Sequence, residues 1–177
     1  MIRVTVGGAT GKLGSMVCSM VLESDDMELV GAVVSATGGN VGRELFPGIV
    51  ASGPDSLPGL LERTDVYVDL TTPEAASKVI PHVAVHGANL VLGTTAVDPD
   101  ALDAMAVSVV DHGTSALVSA NFAPGVNVFW KVCEILSKAL PDYDIEIIEL
   151  HHGAKKDAPS GTTLEAISRM SGSSPGR

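Results

Sequence analysis

The chain has 177 residues, of which 45% are hydrophobic and 3% are aromatic, and 19 of them are glycine. This length can bury the core of one domain, or of one domain and part of a second, and the composition is typical of a globular α/β protein. Eleven Lys and Arg residues against 21 Asp and Glu residues give a formal net charge of −10 without a basic stripe, which argues against nucleic-acid binding. No apolar run reaches spanning length and the first residues lack a charged and apolar leader, so we expect no membrane partner and a cytoplasmic location.

The opening residues predict a dinucleotide-binding unit. Ile2–Val6 predicts a strand, and it is followed by a G-x-x-G-x-x-G turn at Gly8, Gly11 and Gly14, by a helix, and by a second strand at Glu28–Val34. This arrangement holds a pyrophosphate at the helix N-terminus, although a glycine-rich turn in some other α/β protein is the alternative. The residues expected to contact the cofactor here are Gly8, Gly11, Lys12, Leu13 and Gly14. The apolar face expected for the helix consists of Leu13, Met16, Val17, Met20 and Val21.

The end of the second strand bears on the choice of cofactor. Sites that prefer NAD usually carry an acidic residue there for the adenosine ribose, whereas this chain has Ser35 and Ala36. Lys12 in the glycine turn and Arg43 downstream offer positive charge for a 2′-phosphate. We therefore predict that Ser35 lies at the ribose and that the cofactor is NADPH rather than NADH, or either of the two.

The middle of the chain predicts further alternating elements. After a loop rich in Gly, Pro and Ser, we expect a short strand at Ile49–Ala51, a short helix at Leu57–Arg63 and an apolar strand at Val66–Leu70. Thr72-Pro73-Glu74 predicts a helix start, with a hydroxyl cap, a proline in the first turn and an acid near the positive end. Pro81 should kink this helix or end its first part.

Four residues have mainly structural interpretations. His82 and His86 are spaced four apart, as metal ligands on one helical face can be, but no third ligand accompanies them, so we expect solvated histidines and no metal. Cys18 and Cys133 fall in predicted apolar helices, so we expect reduced, unpaired thiols.

The second half of the chain continues the alternation and then changes. We expect a strand at Asn89–Leu92 that ends at Gly93-Thr94-Thr95, a helix at Pro99–Val110 and a strand at Ser115–Ala120. A strongly apolar helix at Val126–Leu140 follows the predicted domain boundary. The predicted fold of residues 1–122 is a Rossmann-type doubly wound parallel sheet, and residues 123–177 start a second domain.

A dense polar cluster lies between a predicted strand, Tyr143–Leu150, and a predicted helix, Thr162–Met170. The residues from Glu149 to Thr162 are ELHHGAKKDAPSGT. Unpaired N–H groups at a helix start can hold a carboxylate or phosphate, lysines add positive charge, and histidines exchange a proton near neutral pH. A solvated basic loop followed by an N-capping serine is the alternative for each residue alone. The combination favours a functional site.

These motifs resemble those of the dihydrodipicolinate reductase family. The string His-His-x-x-Lys-x-Asp-Ala-Pro-Ser-Gly-Thr at His151–Thr162 is similar to the family signature, and Asp69–Pro73, Gly93–Thr95 and Asn121–Asn127 resemble three further family segments, with Leu70 replacing the usual Phe. The resemblance implies NAD(P)H-dependent reduction of a cyclic dicarboxylate, 4-hydroxy-tetrahydrodipicolinate, in lysine and diaminopimelate biosynthesis. It also implies that residues 123–177 are the start of an α+β domain for substrate binding and oligomerisation, and that the full-length protein is a homotetramer.

The resemblance also implies roles for individual residues. His151 and Lys155 are the expected general acid and proton-transfer partner. The residues implied to bind substrate are His152, Ser160, Gly161 and Thr162, together with Lys155. The residues implied to lie beside the nicotinamide half of the cofactor are Gly93, Thr94, Thr95, Ala120, Asn121 and Phe122, and Lys12 is the implied partner of the 2′-phosphate.

Three alternatives to this interpretation bear on activity. A short-chain dehydrogenase needs Tyr-x-x-x-Lys, but Thr71 and Ile147 stand four places after Tyr67 and Tyr143. A semialdehyde or acyl-phosphate reductase needs a reactive thiolate in a loop, whereas Cys133 lies in a predicted helix. Members of the family run on past this length, so we also expect a truncated form, and a remnant that binds nucleotide without turnover is the third alternative.

Overall fold

The structure is a computed structural model that describes residues 1–150 and 159–172. The chain divides into two compact units, Met1–Val118 and Ser119–Arg177. The predicted division was at residues 122 and 123.

The first unit is an α/β sandwich around a seven-stranded sheet. Its strands are β1 (Ile2–Gly7), β2 (Met27–Val33), β3 (Glu44–Phe46), β4 (Ile49–Ser52), β5 (Val66–Asp69), β6 (Asn89–Leu92) and β7 (Ala116–Val118). Its helices are α1 (Lys12–Leu22), α2 (Leu57–Leu61), α3 (Pro73–Val83) and α4 (Pro99–His112), with 3-10 turns at Pro54–Ser56 and Ala84–His86. The strand order is β3-β4-β2-β1-β5-β6-β7, and every neighbouring pair is parallel except β3 and β4.

This topology is that of a Rossmann-type sheet, as predicted. The chain leaves β1 for β2 on one side and later returns to β5 on the other side, so the order of the strands reverses at β1. Ligands of such sheets bind at the carboxyl ends of the strands beside this switch point. The core forms two clusters of buried residues, one around Val6, Cys18 and Ala32 and the other around Tyr67 and Ile80.

Helix α1 packs differently from its predicted pattern. The residues that it buries are Gly14, Cys18 and Val21, whereas Leu13, Met16 and Met20 are 53%, 55% and 66% exposed. The expectation of one continuous apolar face was therefore wrong for the three larger residues. Small residues face the sheet because the helix starts in close contact with the glycine turn. Burial raises the pKa of the Cys18 thiol to about 11, which leaves it unreactive.

Two local features of the first unit also differ from expectation. Strand β3 lies in a segment predicted as a loop, and it pairs antiparallel with β4 across a turn in which the Gly48 N–H donates to Glu44. Helix α3 continues through Pro81 to Val83, so of the two predicted effects of this proline, a kink or an end, the end does not occur. Ile80 and Val83 are fully buried, and their packing offsets the one backbone hydrogen bond that a proline removes.

The second unit contains two helices in its described part, α5 (Pro124–Ala139) and α6 (Gly161–Ser171). Trp130 of α5 is 1% exposed, donates its indole N–H to the Thr162 carbonyl at 3.0 Å, and lies 5.3 Å below the Arg169 guanidinium. This single aromatic residue therefore joins α5 to the start of α6.

The strand predicted at Tyr143–Leu150 does not form. Residues 144–150 are irregular, and Ile148 and Leu150 are 83% and 91% exposed. A strand needs a partner for its backbone hydrogen bonds, and residues 119–150 and 159–172 contain no strand that pairs with this segment. Across the described residues of the whole chain, no helix combines the length and apolarity that crossing a bilayer requires.

An exposed ion pair predicts how stability depends on pH. Arg3 donates to both carboxylate oxygens of Asp65, with its guanidinium 2.6 Å from Oδ1, and these hydrogen bonds lower the pKa of Asp65 from 3.8 to about 2. A lowered folded-state pKa stabilises the fold above the unfolded value, and this contribution is lost as pH falls through about 2.

We expect Asp65→Asn to be less stable than wild type at pH 6, with the difference closing between pH 4 and pH 2 and shrinking in high salt. Urea unfolding at a series of pH values measures this. The matched variant Asp103→Asn, at an exposed position of α4, should follow the wild-type profile. A constant gap between Asp65→Asn and wild type from pH 6 to 2 would contradict the expectation.

Candidate functional site

The glycine turn after β1 lies against the end of β2. The N–H groups of Gly8 and Ala9 donate to the Val33 carbonyl at 2.9 and 3.1 Å, and the Gly11 N–H donates to the Gly8 carbonyl at 2.8 Å. Gly8 has a φ of 78°, a conformation that favours glycine. Helix α1 then starts at Lys12 with no side chain hydrogen-bonded to its N-terminus. The first N–H groups of α1 therefore form a site for an anion beside the turn.

Close packing explains two of these glycines. A Cβ atom on Gly14 would lie 2.1 Å from the Gly8 carbonyl oxygen, and a Cβ atom on Gly8 would lie 2.2 Å from the Leu70 carbonyl oxygen. Both neighbours are backbone atoms, which cannot move aside as the tip of a side chain can. These two positions therefore bring α1 and the loop after β5 into contact with the turn.

A cavity of about 640 Å³ opens at this edge of the sheet. Three residues predicted to contact the cofactor, Gly8, Gly11 and Ser35, line it. The remaining residues of its wall are Thr10, Val33, Val34, Ala36, Pro54, Leu57, Tyr67, Leu70, Thr71, Thr72, Glu74, Ala75, Lys78 and Val79. Its size and mixed wall suit part of a dinucleotide.

The charged residues of the cavity were not predicted. Glu74 and Lys78 of α3 line it, whereas Lys12 and Arg43 are not among its lining residues. The Glu74 backbone N–H and then the Thr72 hydroxyl lower the pKa of the Glu74 carboxyl. Nothing in the sequence around Lys78 distinguished it from an ordinary solvated residue of a helix.

A buried carboxylate lies below the loops of this edge. Asp69, the last residue of β5, is 0% exposed, and its Oδ1 accepts hydrogen bonds from the hydroxyls of Thr71 and Thr94 at 2.7 and 2.6 Å. Its Oδ2 accepts from the Tyr67 hydroxyl at 3.2 Å. Burial and the neighbouring Asp69 raise the pKa of Tyr67 well above its ordinary value, which keeps the phenol a donor. An acid at the end of an apolar strand, VYVDL, was the available signal for this group.

The Gly93-Thr94-Thr95 segment follows β6 at the same edge. The Gly93 N–H donates to the Asp69 carbonyl at 2.9 Å, and the Thr94 hydroxyl also accepts from the Thr71 N–H at 2.9 Å. Thr95 is exposed. The three residues predicted at the nicotinamide half therefore lie beside the loop after β5.

The Ala120-Asn121-Phe122 segment belongs to the second unit and precedes α5. The Asn121 side chain accepts from the Ala123 N–H at 2.9 Å, and its backbone carbonyl accepts from the Asn127 amide at 2.9 Å. Ala120 is partly buried and Phe122 is 42% exposed. Asn121 thus shapes the start of α5.

The polar cluster before α6 is described in part. The predicted residues His151, His152 and Lys155 lie outside the described residues. Ser160 caps α6 by accepting from the Thr163 N–H at 3.1 Å. The Ser160 N–H and hydroxyl both donate to the Glu149 carboxylate, at 2.9 and 2.6 Å.

Glu149 is the first residue of the predicted polar cluster, but no role was predicted for it. Its carboxylate also accepts from the Thr163 hydroxyl at 2.5 Å, so an acidic side chain from within the chain occupies the first turn of α6. Gly161 and Thr162 follow the cap as the first helical residues and are partly exposed. Within the described part of the chain, no group of three His, Cys, Asp or Glu residues could hold a metal ion.

The fold and the cavity define a dinucleotide-binding protein of the Rossmann class. Comparison with known families makes the assignment more specific. A family model described as dihydrodipicolinate reductase, N-terminus, matches residues 2–122, and one described as dihydrodipicolinate reductase, C-terminus, matches residues 125–176. The chain belongs to the dihydrodipicolinate reductase family.

Individual relatives agree with this assignment. The 4-hydroxy-tetrahydrodipicolinate reductase of Methanopyrus kandleri is 38% identical over 93% of this chain, and that of Methanothermobacter thermautotrophicus is 40% identical over 97%. A solved structure, dipicolinate-bound dihydrodipicolinate reductase from Paenisporosarcina sp. TG-14, is 30% identical and covers 100% of this chain with a TM-score of 0.74. This chain spans 63% and 66% of the length of the two curated relatives and 68% of the solved chain.

The packing of Gly14 predicts the effect of one substitution. We expect Gly14→Ala to destabilise the first unit by about 1–3 kcal/mol, because the new methyl group would displace the Gly8 carbonyl and separate α1 from the turn. Thermal unfolding measures this. Gly59→Ala is the control, since Gly59 lies in α2 with open space at its Cβ, and it should be neutral or stabilising. Equal stability of the two variants would contradict the packing argument.

Proposed function

We propose that this chain carries the cofactor-binding unit and part of the substrate-binding unit of an NAD(P)H-dependent 4-hydroxy-tetrahydrodipicolinate reductase. The observation that carries the proposal is the cavity at the switch point, where a glycine turn, an uncapped helix start and the end of β2 meet. Membership of the family supplies the reaction. Residues 1–122 form the cofactor domain in this proposal, and residues 123–177 belong to the substrate domain.

The uncapped start of α1 and the cavity support the proposed position of the adenosine and pyrophosphate half of the cofactor. The pyrophosphate lies on the N–H groups at the start of α1, beside Gly8 and Gly11, and the adenosine ribose lies at Ser35. Gly93, Thr94 and Thr95 contact the nicotinamide half, and Ala120, Asn121 and Phe122 supply its carboxamide contacts. NADPH, and with it NADH, is the proposed cofactor, and when bound it supplies the hydride.

The substrate is a cyclic dicarboxylate whose loss of water gives a conjugated imine. Hydride reaches a ring carbon while His151, assisted by Lys155, delivers the proton that balances the developing negative charge. Lys155 and the start of α6 hold a substrate carboxylate, with His152 helping to bind the ring. Both donors of Ser160 bond to Glu149. Gly161 and Thr162 therefore make the direct contacts with the substrate carboxylate, and Ser160 shapes their turn.

The setting of this activity is part of the proposal. We place the protein in the cytoplasm, in lysine or diaminopimelate biosynthesis, and we expect the full-length protein to be a homotetramer. The net charge of −10 makes the positive charge of the Lys155 cluster important for an anionic substrate.

Turnover tests the proposal directly. NADPH oxidation is followed with the purified chain while the preceding synthase generates the substrate in place. We expect Lys155→Ala to reduce turnover by about a hundredfold or more, because it removes both a carboxylate contact and a proton-transfer partner. Lys156→Ala is the matched control and should retain wild-type turnover. NADPH binding without turnover by the wild-type chain would instead support the alternative of a nucleotide-binding remnant.

The cofactor preference has its own test. We expect tighter binding of NADPH than of NADH in a fluorescence titration, and we expect Lys12→Met to weaken NADPH binding about tenfold while leaving NADH unchanged, since only NADPH carries the 2′-phosphate. Arg43→Met tests the other candidate cation in the same way. Tighter binding of NADH by the wild-type chain would refute the preference.

A further inference from the structure

The Asp69 carboxylate joins the three loops that surround the proposed cofactor site. It lies at the carboxyl end of β5, and the loops after β1, β5 and β6 all meet above it. Asp69 is not among the residues predicted to contact the cofactor. The complete burial of its carboxylate therefore has another reason.

The first connection runs to the loop after β5. Asp69 Oδ1 accepts from both the N–H and the hydroxyl of Thr71, at 3.1 and 2.7 Å. Thr71 and its neighbours Leu70 and Thr72 line the cavity. The shape of this wall therefore depends on a hydrogen-bonded turn centred on the carboxylate.

The second connection runs to the loop after β6. The Thr94 hydroxyl donates to Asp69 Oδ1 at 2.6 Å and accepts from the Thr71 N–H at 2.9 Å. One hydroxyl thus uses its donor on the carboxylate and an acceptor lone pair on the neighbouring loop. Thr94 is itself proposed to contact the nicotinamide half.

The third connection runs to the glycine turn through Tyr67. The Tyr67 hydroxyl donates to Asp69 Oδ2 at 3.2 Å, and a Cβ atom on Gly7 would lie 2.2 Å from that hydroxyl. The phenol therefore fills the space beneath the start of the turn, and its position is set by the carboxylate. Tyr67 is 1% exposed, so an unsatisfied hydroxyl there would be costly.

We propose that Asp69 is a positioning residue for the dinucleotide site, which holds the loops after β1, β5 and β6 in their cofactor-binding arrangement through Tyr67, Thr71 and Thr94. The proposal rests on the proposed function, because it concerns the same cofactor. In this proposal Asp69 does not contact the cofactor directly. It acts by satisfying four donors at one buried point: the Tyr67 hydroxyl of β5, the N–H and hydroxyl of Thr71 after β5, and the Thr94 hydroxyl after β6.

The test compares NADPH binding among variants of the full chain, measured by titration at a temperature at which circular dichroism shows each to be folded. Asp69→Ala removes every acceptor and should raise the Kd for NADPH at least about tenfold, whereas Asp69→Asn keeps a carbonyl oxygen for the threonines and should stay within a few fold. Thr94→Val should weaken binding similarly to Asp69→Ala, and Thr94→Ser should restore it. If Asp69→Ala does not fold, deuterium exchange of the Thr71 amide in the Thr94 pair decides the question, because Thr94 is itself proposed to contact the cofactor and its Kd alone does not separate the two roles.

A control separates positioning from general stability. Thr5 and Thr64 share a buried hydrogen bond of 2.7 Å between their hydroxyls, and Thr64 precedes β5 at the end of the strand opposite to the cavity. Thr64→Val should lower the unfolding temperature without changing the Kd for NADPH. An equal rise in Kd for Thr64→Val would overturn the proposal, because the loss of binding would then follow stability alone.

A second readout does not depend on cofactor binding. The Thr71 amide should exchange slowly with deuterium in the wild-type chain and faster in Asp69→Ala and Thr94→Val, since both variants remove its acceptors. If these variants keep the wild-type Kd for NADPH and the Thr71 amide keeps its wild-type exchange rate, the positioning role is overturned. Failure of the wild-type chain to bind NADPH would instead count against the proposed function, while the exchange data would still decide whether Asp69 holds the loops.

Discussion

In the first unit, backbone atoms approach one another closely at the carboxyl edge of the sheet, and this contact sets where α1 begins. At Gly8 and Gly14 a Cβ atom would lie 2.2 and 2.1 Å from a backbone carbonyl oxygen. Only glycine permits this spacing, so α1 can begin directly on the turn that lines the cavity. Close approach also explains why α1 buries small residues rather than its larger apolar ones, since Cys18 and Val21 face the sheet one and two turns later. The position of the first helix is therefore set at its start.

The N-termini of α1 and α6 differ in whether a side chain of the protein binds to them. The N-terminus of α1 has no side-chain cap and opens beside the cavity, whereas the N-terminus of α6 is bonded to Ser160 and Glu149. The positive end of a helix attracts an anion in either case. In α6 the carboxylate comes from the chain itself, so the Ser-Gly-Thr turn is shaped before any ligand arrives.

The fold of the first unit was largely predictable, and the second unit shows why prediction can fail. Parallel strands buried on both faces leave continuous apolar runs, such as VYVDL, and the helices between them carry caps and prolines at their starts. The same kind of apolar run at Tyr143–Leu150 did not become a strand, because pairing requires a neighbour at the correct distance. Strand β3 was not predicted, because its own composition is that of a loop. Its pairing with β4 stabilises it as a strand.

The sequence by itself determined the class of fold and the glycine turn, because each depends on residue types at short spacing along the chain. Only the tertiary structure showed that Asp69 bonds to Tyr67, Thr71 and Thr94 and that Glu149 occupies the first turn of α6. It also decided which face of α1 is buried and that Lys78 lines the cavity. These features depend on contacts between residues far apart in sequence, and such contacts are set by how the strands order themselves in the sheet and how the helices pack.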